Sequence, residues 1–219
     1  MDFSKIWPYL WIFRDGLWMT VQLTFFSAIF GFLIAVVLVA MGIVKNKACN
    51  VISSVYITVV RSMPMLLQLF IVYFGLPQLL GAGFNMESET AAIIALSFNG
   101  AAYYAEVLRG GILSIDAGQH EAARALGLGK IKTMLFIIFP QAGKRILPSM
   151  LSEFVLLFKE TSLVSQIGVA DLFYASGTVS KNAYLTFEAY IFVAVIYYVL
   201  VMAMSYGTSR LEKRLRLSD

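Results

Sequence analysis

EAARALGLGKIKTMLFIIFP, residues 121–140, is the stretch on which the reading of this chain turns. It opens as a short alanine-rich helix, Glu121 to Leu126, built from the strongest helix former. Gly127 and Gly129 then break that helix, since glycine accepts turn geometry that other residues resist. The stretch is polar at its start, carries Arg124, Lys130 and Lys132, and lies between strongly apolar segments. A small-residue polar helix inside an apolar chain is positioned to be offered to something in the water.

Composition supplies the surroundings. Of 219 residues 59% are hydrophobic and the mean hydropathy is +0.78, more apolar surface than a soluble core can hide. Lipid is the alternative solvent, and each helical crossing of it takes about 20 apolar residues. Only helices or closed barrels satisfy their backbone there, and the long unbroken apolar runs exclude barrel alternation. The expected fold is therefore an all-α membrane protein. The net charge of +4 points to cytoplasmic loops rather than to nucleic acid. Single Cys49 and single His120 leave no disulfide and no metal site. Met1 to Thr20 carries charges and Trp7, Trp11 and Trp18, which is not the pattern of a cleaved signal.

Along the chain, residues 1–16 read as an interfacial helix with its aromatics at headgroup level. Residues 17–209 read as the membrane domain, with about five spans. Span one runs from about Leu17 to Val44; Ser27, Gly31 and Ala35 recur every fourth position, which suits either close helix contact or an ordinary lipid-facing helix. Lys45 and Lys47 follow in a loop. Span two, about Val51 to Leu80, is longer than the bilayer needs and should kink at Pro64; Gly75, Pro77, Gly81 and Gly83 close it. Span three runs from about Thr90 to Leu108, span four from Lys144 to about Ile167, and span five from about Glu188 to Gly207. A polar coupling stretch, 115–140, lies between spans three and four. Asp171 to Phe187 reads as an outer loop, and 210–219 as a basic tail.

Charge orients this chain. Lys45, Lys47, the segment Arg109 to Arg145, and Arg210 to Arg216 fall on one side, and Glu87, Glu89, Asp171 and Glu188 on the other. The positive-inside rule then puts the N-terminus outside and the C-terminus, with the alanine-rich helix, in the cytoplasm.

At these residues a resemblance enters. The run Glu121 to Gly127, nine residues, then Ile137 to Pro140 resembles the EAA loop of permease subunits of bacterial ATP-binding-cassette importers, with Phe139 where the family has leucine. RSMPMLLQL (61–69), AYYAEVLRGG (102–111), GQ (118–119), PQA (140–142) and KETSLV (159–164) resemble its polar amino-acid branch, so the likeness covers nearly the whole chain. It implies a subunit of the bacterial inner membrane that pairs with a second permease, identical or paralogous. A cytoplasmic ATP-binding subunit would hold ATP and magnesium, and an extracellular or periplasmic binding protein would deliver the substrate. No cofactor is expected in this chain, whose Gly127-Leu128-Gly129-Lys130 lacks the upstream glycine and the following Ser or Thr of a P-loop. The resemblance places ATPase coupling on Glu121, Ala122, Ala123, Arg124 and Gly127. Glu121 and Arg124, three apart, share a helix face; the bland reading is a solvated hairpin.

Ionisable residues inside spans are functional candidates by default. Arg61 shares a face with Met65 and Gln68, or is merely solvated at the cytoplasmic mouth. Asn99, Tyr103 and Glu106 share a face of span three, and Glu106 is expected to pair with Arg109, three residues on. Glu153 and Glu160 lie two turns apart and face the same way, while Lys159 points about 100° around the helix. Lys159, Glu160, Thr161 and Ser162 are expected to form part of an outer gate. By the resemblance, an acid at Glu153 implies a basic or zwitterionic amino acid; the alternative is a structural Glu153–Arg or Glu153–Lys pair. His120 reads as a surface or capping residue. Two other functions compete: a stand-alone secondary carrier acting as a dimer, and a membrane enzyme, for which no nucleophile, histidine pair or metal site is visible.

Overall fold

The computed structural model describes residues 3–44, 46–81 and 85–216, for residue 216 the backbone only. Lys45, Gly83 and residues 217–219 of the expected tail lie outside them. All regular structure among the described residues is helical. Three helical stretches are long and apolar enough to cross a membrane, Phe3–Ile43, Ser88–Leu113 and Thr186–Leu215, and a fourth crossing exists if the bent pair Lys47–Arg61 and Met65–Leu80 counts as one. Five spans were expected. The helix expected as span four carries Lys144, Arg145, Glu153, Lys159 and Glu160, and does not qualify by composition.

Helix α1 (Leu10–Ile43) is the mast of the bundle. Its buried stripe of Thr20, Leu23, Thr24, Ser27, Gly31, Ala35 and Leu38 follows the three-to-four spacing of one helix face. The stripe lies against α5 (Ser88–Leu113), whose facing surface is Ala91, Ala92, Ala95, Ala101, Ala102 and Ala105. A Cβ on Gly31 would sit 3.1 Å from the Ser97 carbonyl oxygen. The Ser27–Gly31–Ala35 pattern is thus a helix-contact face, not a lipid face. Residues 3–16 do not form a separate surface helix. Residues 3–9 make a 3-10 turn that runs into α1, and Ile6 and Phe13 are buried with Leu172, Ala175 and Ala189. Trp7, Trp11 and Trp18 nonetheless stay exposed.

After α1 the chain reverses into α2 (Lys47–Arg61), whose Asn46 cap accepts from the Ala48 amide at 2.9 Å. The expected kink at Pro64 is a full break. Helix α2 and the run beginning with α3 (Met65–Phe70) meet at 109°. Proline cannot donate and disfavours helix at the residue before it, so α2 stops and Pro64 caps a new helix. A π segment (Ile71–Gly75) and α4 (Leu76–Leu80) complete this arm.

Helix α5 leads into α6 (Ala117–Ala125), which starts earlier than expected because Asp116 accepts from the Gly118 amide at 2.7 Å. Gly127 ends it at φ +75°, a conformation that requires glycine, whereas Gly129 has φ −69° and needs none. From α7 (Lys130–Thr133) the chain stays helical through a π segment (Met134–Ile138) into α8 (Phe139–Glu160). Both π segments end just ahead of a proline, Pro77 or Pro140, where the lost N–H breaks the regular ladder. Thr161–Ile167 is a 3-10 turn. The expected outer loop is largely a helix, α9 (Leu172–Ala183), and α10 (Thr186–Arg216) carries the expected basic tail onward as helix.

Candidate functional site

Charged groups of α2 and α5 meet at the α2 break, and Glu153 of α8 lies within reach of the Arg61 charge. Arg61, the last residue of α2, places Nη1 3.4 Å from Oε2 of Glu106 on α5. Its guanidinium carbon lies 5.5 Å from the centre of the Tyr103 ring, one helical turn before Glu106. The two charged side chains keep 41% and 51% of their surface, so the pair borders open space. The Arg61 charge also acts on Glu153 of α8, and the charges of Glu153 and Lys159 act on Glu160. Glu153 and Glu160 both reach the buried Tyr104, whose hydroxyl has no hydrogen-bond partner among the described residues. Tyr104 was not anticipated; its position next to Tyr103 gives no sequence signal, because its ring turns into the core, where a Cβ on Gly31 of α1 would lie 3.4 Å from it.

Several sequence expectations change here. Glu106 pairs with Arg61, not with Arg109, because the α2 break brings a cation from another element closer than the helix neighbour. Arg61 shares no face with Met65 and Gln68, since the break separates them. Gln68 is buried, and its Nε2 donates to the carbonyls of Val60 (2.8 Å) and Met63 (3.0 Å). Those bonds satisfy backbone acceptors at the break. Asn99 is buried with its Oδ1 unpartnered, above Tyr103 on α5. Thr161 and Ser162 donate to the Phe158 and Lys159 carbonyls at 2.7 and 2.8 Å, which uses their hydroxyls to hold the 3-10 turn. Lys159 lies with Ser162 in a groove of about 480 Å³ walled by Phe173, Tyr190 and Tyr198.

The second candidate surface is α6. Glu121, Ala122 and Arg124 are exposed and Ala123 is buried, so the helix stands on one alanine and offers its other faces. Neither Glu121 nor Arg124 has an ion-pair partner among the described residues; in particular they do not pair with each other. Leu126 and Ile131 beside it are 81% and 76% exposed. His120 is half-buried and lines a cavity of about 470 Å³ with Arg124, Lys130 and Met134, not a lone surface position. Gln141 of α8 donates to Gln119 at 3.2 Å, and Arg145 of α8 donates to the Ser114 carbonyl. Helix α6 is therefore tied to the same α8 that carries Glu153.

Residues 27–217 match the family described as binding-protein-dependent transport system inner membrane component. The chain belongs to that family. Among relatives of this inner membrane component, the arginine transport system permease protein ArtQ of Bacillus subtilis (strain 168) is 39% identical over 219 residues, covering 100% of this chain and 99% of the relative. A putative glutamine transport system permease protein GlnP of Rickettsia conorii is 36% identical over 96% of each chain. A solved structure described as an amino acid ABC transporter with histidines superposes with TM-score 0.93 at 39% identity, over 98% of this chain and 99% of that one. An inward-facing MetNI methionine ABC transporter shares the fold, with TM-score 0.76 at 21% identity. The component is thus a transport subunit, and the bent second arm and the charged α8 belong to an importer fold.

Proposed function

We propose that this chain is the permease subunit of an ATP-driven amino-acid importer and that its pathway takes a cationic or zwitterionic amino acid. The observation that carries the reading is the cluster of Arg61, Tyr103, Glu106 and Glu153, contributed by α2, α5 and α8 and bordering open space. A lipid-embedded helix keeps such charges only where they are paired or wet. Glu153 contacts the substrate's cationic group, and Arg61, held by Glu106, supplies a nearby positive charge that acts on Glu153. The names of the relatives above, arginine and glutamine permeases, support a polar amino acid. Of the two, the arginine permease name is the one that suits an acid at Glu153. Two permease chains form the pathway, and an external binding protein loads it.

Energy comes from a partner. A cytoplasmic ATP-binding subunit holds ATP and magnesium and grips α6 through Ala122, Glu121 and Arg124, with Gly127 setting the angle of the grip. The orientation is N-terminus outside and C-terminus inside, as the basic loops require. The decisive experiment is ATP-dependent uptake in vesicles holding this chain, its ATPase and its binding protein. Arginine, lysine, histidine and glutamine are set in competition. Glu153→Gln is expected to lower arginine uptake at least tenfold, the effect of about 1.4 kcal/mol, while sparing glutamine. Unchanged uptake and preference would sink the assignment.

A further inference from the structure

A cleft of about 360 Å³ opens between the last turns of α1, the first half of α2 and the end of α5, at the end of the bundle that carries α6. Leu38, Ile43, Ile57 and Leu113 give it apolar walls, and Arg109 enters it. Two of its polar side chains are already used. Ser53 donates to the Leu38 carbonyl at 2.9 Å, and Asn50, with its amide turned to satisfy both partners, donates to the Met41 and Gly42 carbonyls at 2.9 Å. That leaves Arg109 and Ser54. Neither has a hydrogen-bond or ion-pair partner among the described residues, and both are exposed. A guanidinium without an acid, at the mouth of an apolar cleft between helices, is complementary to an anion that brings its own hydrocarbon.

Depth supports the same occupant. The cleft's α2 wall runs from Asn50 to Ile57, a rise of about 10 Å along the helix. That depth takes a headgroup at the rim and the upper acyl chains below. The other faces of α1 and α2 expose Val36, Val37, Val51, Ile52 and Val55, so hydrocarbon borders the cleft. We propose that it binds the phosphodiester of an anionic phospholipid, with Arg109 and Ser54 on the phosphate and Leu38, Ile57 and Leu113 on the chains. A zwitterionic lipid would bring its own ammonium against Arg109 and is disfavoured. The proposal does not depend on the transport assignment.

The test uses the full transporter complex, exchanged into nanodiscs of phosphatidylcholine with equal phosphatidylglycerol, extracted, and weighed by native mass spectrometry. Wild type is expected to retain phosphatidylglycerol over phosphatidylcholine, and Arg109→Gln to lower that retention about fivefold, the size of one basic contact at a membrane surface. Arg109→Lys should keep part of it, and thermal melting checks that all three variants are folded. Four results would overturn the site. One is equal retention of both lipids; another is retention unaffected by Arg109→Gln. The third is a bound-lipid signal that inorganic phosphate removes at the same concentration as phosphatidylglycerol, which would mean a free-anion site. If cross-linking from a cysteine placed at Ser54 captures a permease or ATPase chain instead of lipid, the cleft is a protein interface and the proposal fails.

Discussion

Gln68 shows how one side chain decides what a helix break does. Pro64 ends α2, and the carbonyls left open there must find donors or water. Gln68, packed in the core four residues into the next arm, reaches back with both amide hydrogens to Val60 and Met63. Its place in the sequence, one turn after a proline, looked like a pathway position, and only the 109° bend reveals the structural role. Gln68→Leu keeps the volume and removes both donors. It should cost about 1–3 kcal/mol, the penalty for orphaned buried acceptors, and lower the melting temperature in detergent. It should leave the substrate preference of the remaining folded protein unchanged. A changed preference with an unchanged melting temperature would return Gln68 to the pathway.

Among the elements, α9 was the least legible. Its sequence mixes polar and aromatic residues without long periodicity, so it read as loop. The signal present was a cap: Asp171 accepts from the Phe173 and Tyr174 amides at 3.1 and 2.8 Å. What sequence could not show is that this cap is fully buried beneath α1, close enough that a Cβ on Gly16 would meet the Asp171 carbonyl at 2.7 Å. Burial pushes the Asp171 carboxyl up to about 6, against the pull of its backbone hydrogen bonds. A native-state value above the unfolded one stabilises the protonated form. That contribution is full below about pH 4 and fades as pH rises through 6. Asp171→Asn removes the charge and keeps one of the two cap acceptors. It should therefore raise the melting temperature at pH 7.5 and lose that advantage near pH 4. If the variant is less stable at both values, ionised Asp171 is held by partners worth more than its burial. By contrast α1 and α5 were legible as spans, and the four-residue repeat on α1 offered helix contact as one of two readings, the one its packing on α5 bears out. Helix α8 was legible by its charges, which mark it as a functional helix and also keep it from qualifying as an apolar span by composition. A helix that lines a polar cluster cannot also look like lipid solvent.

For the whole molecule, the two candidate surfaces matter because one rod joins them. Helix α8 holds Glu153 near Arg61, and through Gln141 and Arg145 it is bonded to Gln119 and to the Ser114 carbonyl around the start of α6. The rod also crosses α5 with no room to slide, since a Cβ on Gly111 would overlap Ile146. In the proposed coupling, a push on α6 would tilt α8 and so change the distance between Glu153 and Arg61. This predicts a separation of two measurements. Glu121→Lys, on the exposed face of α6, should leave the fold and substrate binding intact, because neither Glu121 nor its neighbours touch the cluster. It should reduce ATP-driven uptake at least tenfold, with the ATPase no longer stimulated by loaded binding protein. A partner charge is opposed and an interfacial ion pair is lost, an effect on the order of 2 kcal/mol or more. Restoring uptake with an opposite charge reversal on the ATPase would identify that pair. Full uptake by Glu121→Lys alone would mean that the nucleotide-driven motion enters the membrane by a route other than α6, and the rod linking it to Glu153 would have no mechanical role.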